Sequence, residues 1–156
     1  MSGQLSFDEL LEPHAQGEGL RRLIRYAVLL ERWSRRHSLV SYGDRRELVE
    51  RHIVDALAAR EELSGSGVLL DVGSGAGLPG VPLLAVRPRW RGLLLEPRQK
   101  RWAFLRLVIR ELGLDATAER FRYQDLAMGA GRFDTVTARA LGGYPELLKW
   151  ASDRLT

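Results

Sequence analysis

Residues 71–77 combine residue types that a cofactor-binding turn needs. They read Asp-Val-Gly-Ser-Gly-Ala-Gly and follow an apolar run that is typical of a buried strand. Glycine permits positive φ angles and lacks the Cβ that would keep a ligand away from the backbone. Glycines at three alternate positions between a strand and a helix therefore predict a tight turn that a nucleotide-like ligand approaches closely.

A second acid, Glu96, stands 25 residues after Asp71, at the end of the next predicted strand. An acid at that place can accept hydrogen bonds from both hydroxyls of a ribose. Leu78 stands where the dinucleotide pattern needs a small residue, and the turn lacks the lysine of a phosphate loop. A ligand with a ribose but no pyrophosphate, such as S-adenosylmethionine, agrees with both observations. For Asp71 a structural role in holding the loop is an equal alternative to direct contact. The cofactor-binding residues predicted from the turn and the acid are Asp71, Gly73, Gly75, Gly77, Leu78 and Glu96.

Alternating strand and helix patterns surround these residues. Short apolar runs are typical of buried strands, and apolar residues at helical spacing separate them. Pro97 suits a helix start, and Gly113 suits a helix end. The alternation predicts an α/β fold with a largely parallel sheet. The predicted strands cover residues 68–72, 91–96, 117–123 and 133–138, and the predicted helices residues 80–86, 97–112 and 145–155.

The N-terminal part has a helical pattern without strands. Residues 20–33 carry apolar side chains at helical spacing. Asp44 can cap a further helix, with Glu47 reaching back to it in a capping box. A chain of 156 residues suits one domain. We therefore expect residues 1–66 to form a helical extension packed on the sheet and residues 67–156 a Rossmann-like core, together one structural unit.

Composition restricts the class of protein. The chain has no cysteine, its three histidines match no common metal motif, and no apolar run is long enough to span a membrane. The N-terminus lacks the pattern of a signal peptide. We expect a cytoplasmic protein with no metal and no membrane partner. Residues from 67 onward carry 14 basic and 9 acidic side chains, which is compatible with a phosphate-bearing partner or simply with an arginine-rich composition.

Four segments, in order along the chain, resemble one family. Residues 71–82 resemble the cofactor signature of the bacterial small-subunit (16S) rRNA guanine-N7 methyltransferases, also called glucose-inhibited division protein B. Residues 51–57 are similar to the family's His-x-x-Asp-Ser-Leu helix, and residues 100–105 to its Lys-Lys/Arg-x-x-Phe-Leu helix. Residues 137–140 are similar to its Ser/Ala-Arg-Ala strand end. The resemblance covers roughly residues 20 to 155.

The resemblance implies a class I S-adenosylmethionine-dependent methyltransferase that methylates a guanine N7 in 16S rRNA. It implies RNA binding, with 16S rRNA or the small-subunit ribosomal particle as partner. Family members commonly have a glutamate where Gln124 stands, and the adjacent Asp125 could substitute for it. The cofactor contacts that the resemblance implies are Gly73, Leu78, Tyr123, Gln124 and Arg139.

Guanine N7 carries a lone pair and no proton at neutral pH, so its methylation needs alignment rather than a general base. We therefore predict no catalytic acid or base, and expect Arg139, after the fourth strand, to position cofactor or substrate. His52 and Asp55 lie near one face of a helix. We interpret them as packing and hydrogen-bonding groups between the N-terminal helices and the sheet, rather than as an acid–base pair.

Three alternatives remain. One is a class I methyltransferase of a protein or a small molecule. Another is a non-catalytic RNA-binding or assembly module, because the sequence predicts four strands where a complete methyltransferase sheet has seven, and C-terminal strands are expected to be missing. A nicotinamide dehydrogenase is disfavoured by Leu78.

Overall fold

The centre of the fold is a four-stranded parallel sheet. A computed structural model describes residues 3–127 and 129–156 of the chain. The strands are β1 Gly67–Val72, β2 Trp90–Leu95, β3 Ala116–Glu119 and β4 Thr135–Ala138. Their order across the sheet is β3-β2-β1-β4, and all neighbouring pairs are parallel. The prediction of an α/β fold with a parallel sheet is confirmed.

The register brings three strand ends to one edge. Val72 pairs with Leu95 on one side and with Ala138 on the other. The next residues along the chain therefore leave the sheet side by side at its carboxyl edge, where ligands bind in open parallel sheets. The glycine-rich turn, Glu96 and Arg139 all begin there.

Helices cover the sheet and extend the fold at its N-terminus. The longest helix ends at His37, and Ser38, with its left-handed φ of 49°, stops it. The bounds are α1 Phe7–Leu11, α2 Gly17–His37, α3 Arg45–Leu48, a π-helix Val49–Val54, α4 Asp55–Leu57, a 3₁₀ turn Arg60–Glu62, α5 Gly80–Val86, α6 Gln99–Leu112, a 3₁₀ turn Tyr123–Asp125 and α7 Tyr144–Ser152.

The sheet is buried on both faces, as apolar parallel strands require. On one face, side chains of α1, α2, α5 and α6 form a single large core with Leu69 and Leu94. On the other face, Leu70 and Leu95 pack with Tyr123 and residues of α7. The N-terminal helices thus share a core with the helices of the sheet. The division at residue 66 stays a prediction.

Several details differ from the sequence prediction. Asp44 caps the helix as expected, because its side chain accepts from the Glu47 N–H at 2.8 Å. The Glu47 side chain, however, accepts from the Gly43 N–H at 2.6 Å and not from the Asp44 N–H, so no reciprocal capping box forms. Residues 49–54 form a π-helix where a regular helix was expected. Strand β3 stops at Glu119 instead of Tyr123 because the last ladder bond runs from the Glu96 N–H to the Glu119 carbonyl, and the Arg98 N–H donates to the Glu96 carboxylate rather than to β3.

The start of β4 also differs. Phe133 was expected in this strand, but its N–H donates to the Arg154 carbonyl at 2.8 Å, after α7. Its own carbonyl accepts from the Thr156 N–H at 2.9 Å. The strand therefore begins at Thr135, where pairing with β1 starts.

The described part of the chain carries no sign of a membrane span or a metal centre. No helix in residues 3–127 or 129–156 is both long and apolar enough to cross a membrane. Within the same ranges, no three histidine or acidic side chains cluster as metal ligands would.

Candidate active site

The glycine-rich turn is built on left-handed backbone. Gly73, Gly75 and Gly77 have φ angles of 64°, 57° and 94°, which side chains with a Cβ rarely adopt. The predicted tight turn is confirmed. The three positions differ in their surroundings, however. A Cβ on Gly77 would lie 2.6 Å from Val81, whereas the nearest atom to a Cβ on Gly75 is 3.5 Å away, on Arg101. Gly77 is thus required by packing inside the protein, while Gly73 and Gly75 lie at the surface of a cleft.

Asp71 lies under this turn and is fully buried. Its Oδ2 accepts from the Gly80 N–H at 3.2 Å, and its Oδ1 accepts from the Thr137 hydroxyl at 2.9 Å. A Cβ on Gly80 would lie 2.6 Å from Oδ2, so the missing side chain makes room for the carboxylate. Burial raises the pKa of Asp71 to about 6, although these hydrogen bonds act against the rise. Asp71 therefore ties β1 to α5 and β4, which favours the loop-holding role over direct contact.

Glu96 lies at the wall of the cleft with only 4% of its surface exposed. Its Oε2 accepts from the Gly75 N–H at 3.0 Å, and its Oε1 accepts from the Arg98 N–H at 3.1 Å. A carboxylate offers about four lone-pair sites, so about two stay available to a ligand. The two backbone bonds fix its orientation between the glycine turn and the start of α6.

Arg139 enters the same cleft from the end of β4. Its Nη2 donates to the Arg51 carbonyl at 3.2 Å and to His52 Nδ1 at 3.3 Å, and lies 4.0 Å from Asp55 Oδ2. Its Nη1 is buried and has no hydrogen-bond partner among the described residues. The interpretation of His52 and Asp55 as links between the N-terminal helices and the sheet is confirmed by these contacts.

Tyr26 makes a second link between the N-terminal helices and the site. It is fully buried on α2, and its hydroxyl donates to the Ala76 carbonyl at 2.7 Å. Burial, together with the nearby Asp71 carboxylate, raises the pKa of the phenol far above its usual range. This contact was not predicted from the sequence. The one available signal was a tyrosine on the apolar face of a helix, because a buried hydroxyl needs a partner.

The cleft formed by these residues has a volume of about 470 Å³. A smaller recess of about 260 Å³ adjoins it and shares Gly73, Pro97 and Leu141 with its wall. Another cleft, of about 490 Å³, lies between the start of α2 and the end of α5, away from the glycine turn. Since the chemically suited groups converge on the first cleft, we take it, with its recess, as the candidate active site.

The nine predicted cofactor-binding residues fall into three groups. Tyr123 and Gln124 line the recess, and Asp71 and Gly77 are buried and line neither the cleft nor the recess. The residues that line the main cleft are Gly73, Gly75, Leu78, Glu96 and Arg139. Their contacts with a cofactor stay predictions.

Several further residues of the cleft wall were not predicted as site residues. Ala140 adopts a left-handed φ of 52°, which is uncommon outside glycine and frequent near functional sites. Neither that angle nor the position of the loop before α3 can be inferred from residue types. The unpredicted lining residues are Leu39, Val40, His52, Ser74, Ala76, Pro97, Arg98, Arg101, Ala140 and Leu141.

Comparison with known proteins gives the family. The model of the family described as "GidB: rRNA small subunit methyltransferase G" matches residues 19–156. The chain belongs to this family. The resemblance seen in the sequence motifs is thereby confirmed.

Curated relatives carry the name ribosomal RNA small subunit methyltransferase G. The one from Alkalilimnicola ehrlichii is 43% identical over 135 residues, which cover 81% of this chain and 59% of the relative. The one from Sodalis glossinidius is 39% identical over 132 residues, which cover 84% of this chain and 63% of the relative. The chain therefore spans about three fifths of the length of the curated relatives that it matches.

Solved structures confirm the class I methyltransferase fold. A protein-L-isoaspartate O-methyltransferase from Plasmodium falciparum, crystallised with S-adenosyl-L-homocysteine, has a TM-score of 0.65 at 15% identity, covering 98% of this chain and 81% of that one. The O-methyltransferase TomG from Streptomyces achromogenes, in complex with SAM, has a TM-score of 0.60 at 19% identity, covering 100% of this chain and 71% of that one. At these identities the likeness shows the fold alone.

Proposed function

We propose that this protein transfers a methyl group from S-adenosylmethionine to N7 of a guanine in 16S rRNA. The observation that supports the proposal most directly is the convergence of the glycine turn, Glu96 and Arg139 on one cleft. It occurs at the carboxyl edge of the sheet, in a chain that belongs to an rRNA methyltransferase family.

The residues present fit S-adenosylmethionine. Glu96 keeps about two lone-pair sites for ribose hydroxyls after its two backbone bonds. Gly73 and Gly75 let a ligand approach the backbone, and the buried Nη1 of Arg139 lacks an acceptor among the described residues. The adjoining recess, with Tyr123 and Gln124 in its wall, offers a partly apolar place for a purine. The proposed cofactor contacts follow from this fit, with Asp71 and Gly77 supporting the turn.

The proposed methyl transfer requires little from the protein beyond alignment of the methyl group with guanine N7. When bound, S-adenosylmethionine supplies a methyl group on a positively charged sulfur, which N7 can take with its free lone pair. No proton has to be removed, so the site needs no general base. The residues of the cleft hold the reactants in place and exclude water, and alignment of this kind contributes up to about 7–11 kcal/mol.

The distribution of paired and unpaired charges supports an RNA substrate. In the N-terminal helices, most arginines are neutralised by acidic neighbours. The arginines that form ion pairs with glutamates there are Arg21, Arg22, Arg25, Arg35, Arg45, Arg46 and Arg51.

The basic residues around the cleft are different. Arg98 and Arg101 line the cleft, Lys100 lies between them on α6, and Arg122 lines the recess. Within residues 3–127 and 129–156, these four side chains form no ion pair. We call them the basic rim. Their charges are available to phosphates of an RNA whose target guanine is unstacked into the cleft.

The test is methylation of unmodified small-subunit RNA, free and as a particle, by the purified protein with S-adenosylmethionine. Digestion to nucleosides should reveal 7-methylguanosine, and Glu96→Ala should abolish its formation. Methyl transfer to a protein or a small molecule, but not to RNA, would overturn the substrate assignment. Calorimetry with S-adenosylmethionine and S-adenosylhomocysteine tests the cofactor separately, because a lack of heat from both would favour the non-catalytic alternative.

A further inference from the structure

His52 lies in the π-helix and reaches into the wall of the cleft. Its Nε2 lies 2.9 Å from the Ser41 carbonyl, which can only accept a hydrogen bond. Nε2 must therefore carry the hydrogen. Its Nδ1 faces Arg139 Nη2 at 3.3 Å, and a guanidinium can only donate. This pattern assigns one neutral tautomer, with hydrogen on Nε2 and a lone pair on Nδ1.

Arg139 is thus held through one nitrogen of its guanidinium, Nη2. Nη2 is fixed by His52 and by the Arg51 carbonyl, both on the π-helix. Because the guanidinium is planar and rigid, fixing Nη2 also sets the direction of Nη1. Nη1 is buried without a partner among the described residues, and a buried unsatisfied donor is unfavourable. The arrangement leaves one buried donor of a cleft-lining residue without an acceptor.

We propose that His52 is a positioning residue, whose neutral ring orients Arg139 so that Nη1 donates to an oxygen acceptor of the bound ligand. The nature of that ligand rests on the proposed function. Two oxygens fit the chemistry: the carboxylate of the amino-acid part of S-adenosylmethionine, and O6 of the target guanine. In either case the N-terminal helical part contributes to the geometry of the site, since His52 and Ser41 both belong to it.

Two substitutions separate positioning of Arg139 from a purely structural role of His52. In His52→Asn, the side-chain oxygen is bonded directly to Cγ, as Nδ1 is in histidine. This oxygen can therefore still accept from Arg139. In His52→Gln, the amide lies one carbon further out, near the place of Nε2, so it can still donate to Ser41. Positioning predicts that His52→Asn retains function and His52→Gln loses it. A structural tie to Ser41 predicts the reverse.

Binding is measured with two probes, S-adenosylhomocysteine and 5′-methylthioadenosine, which lacks the amino-acid part. If the acceptor is the carboxylate, His52→Gln and Arg139→Ala bind S-adenosylhomocysteine about tenfold more weakly but bind 5′-methylthioadenosine unchanged. If the acceptor is guanine O6, both probes bind unchanged and the methylation rate on RNA falls about tenfold instead. His52→Asn should stay within about threefold of the unaltered protein in each assay.

Thermal unfolding of each variant controls for folding. In the Arg139→Ala background, adding His52→Gln should cause no further loss, because the two residues act through one contact. Equal effects of the two histidine variants, retention by His52→Gln alone, or additive losses with Arg139→Ala would overturn the positioning role. Failure of the unaltered protein to bind S-adenosylhomocysteine would overturn the proposed function instead, so the two failures are distinguishable.

Discussion

The Tyr26 hydroxyl donates to the Ala76 carbonyl at 2.7 Å and joins the N-terminal helix α2 to the middle of the glycine turn. Both residues are buried, so the bond is shielded from water. Ala76 stands between Gly75 and Gly77, which have left-handed backbones and no side chains, and inside the turn the Ser74 hydroxyl donates to the Asp71 carbonyl at 3.0 Å. The glycine turn is thus also held from outside, by α2 through Tyr26 and by α5 and β4 through the Asp71 carboxylate.

Tyr26→Phe removes this bond while keeping the ring. The Ala76 carbonyl then remains buried without its partner, so we expect the free energy of unfolding to fall by about 1–3 kcal/mol. The affinity for S-adenosylhomocysteine should fall as well, because the turn is less well held. Urea unfolding and calorimetry measure the two effects. Tyr42→Phe is the matched control, since its hydroxyl makes only a 3.5 Å contact with the Glu31 carbonyl and should change neither quantity appreciably.

Glu96→Gln tests the ribose contact. An amide presents one N–H₂ group where the carboxylate presents two oxygens, so one of the Gly75 and Arg98 N–H groups meets a donor. A hydrogen bond to a ribose hydroxyl is also weakened, because the charge is removed. We expect at least about tenfold weaker binding of S-adenosylhomocysteine, measured by calorimetry.

Glu119→Gln provides the control for Glu96. Glu119 ends the neighbouring strand and is exposed. Its substitution removes the same charge nearby without touching the cleft, and should leave the affinity unchanged. A comparable loss in both variants would show that the effect is general electrostatics and would remove Glu96 from the ribose contact.

Part of this site could be predicted from the sequence because its signals are local. The need for φ above zero selects glycine at positions 73, 75 and 77, and an acid after the second strand is set by the length of one βαβ unit. Those features depend on a few consecutive residues.

The rest depends on contacts between distant parts of the chain. Tyr26 and Ala76 are 50 residues apart, and Arg139 and His52 are 87 apart. No spacing rule connects such pairs. The π-helix that carries His52 also has no local sequence signature, because its residues are ordinary helix formers. The early end of β3 was missed for a related reason: it is decided by the residues that follow β2, where the Arg98 N–H donates to the Glu96 carboxylate, rather than by the residues of β3.

Asp71 should make the protein less stable as the pH rises. Its pKa is about 6 in the folded protein against an ordinary value of 3.8, mainly because of burial. Between these pH values the folded state binds more protons than the unfolded state, so stability falls as the pH rises through the window. Above pH 6 the full cost of the buried charge is present, about 3 kcal/mol for a shift of this size.

Asp71→Asn removes the titration but can keep the contacts. The amide oxygen can accept from the Gly80 N–H, and the amide nitrogen can donate to the Thr137 hydroxyl. We expect the stability of the variant relative to the unaltered protein to rise by up to about 3 kcal/mol between pH 4 and pH 7. Urea unfolding across this range measures the difference.

Asp134→Asn serves as a control of opposite sign. Hydrogen bonds from the Val68 N–H and the Thr156 hydroxyl lower the pKa of Asp134, so its contribution to stability is present above the unfolded pKa and disappears in acid. Relative to the unaltered protein, this variant should lose stability as the pH rises. The same trend in both variants would contradict the burial argument for Asp71.

The basic rim should govern how RNA affinity depends on salt. Arg98 and Lys100 are exposed at the start of α6 and form no ion pair within the described residues, so each can neutralise a phosphate. We expect the double substitution Arg98→Gln, Lys100→Gln to weaken binding of small-subunit RNA. It should also reduce the slope of log K against log salt concentration by about 0.7 for each phosphate that is no longer neutralised.

The double substitution Arg21→Gln, Arg46→Gln removes the same charge from side chains already paired with Glu18 and Glu50. That control should keep the slope unchanged, and an equal decrease in both proteins would show that net charge alone, rather than the basic rim, attracts the RNA.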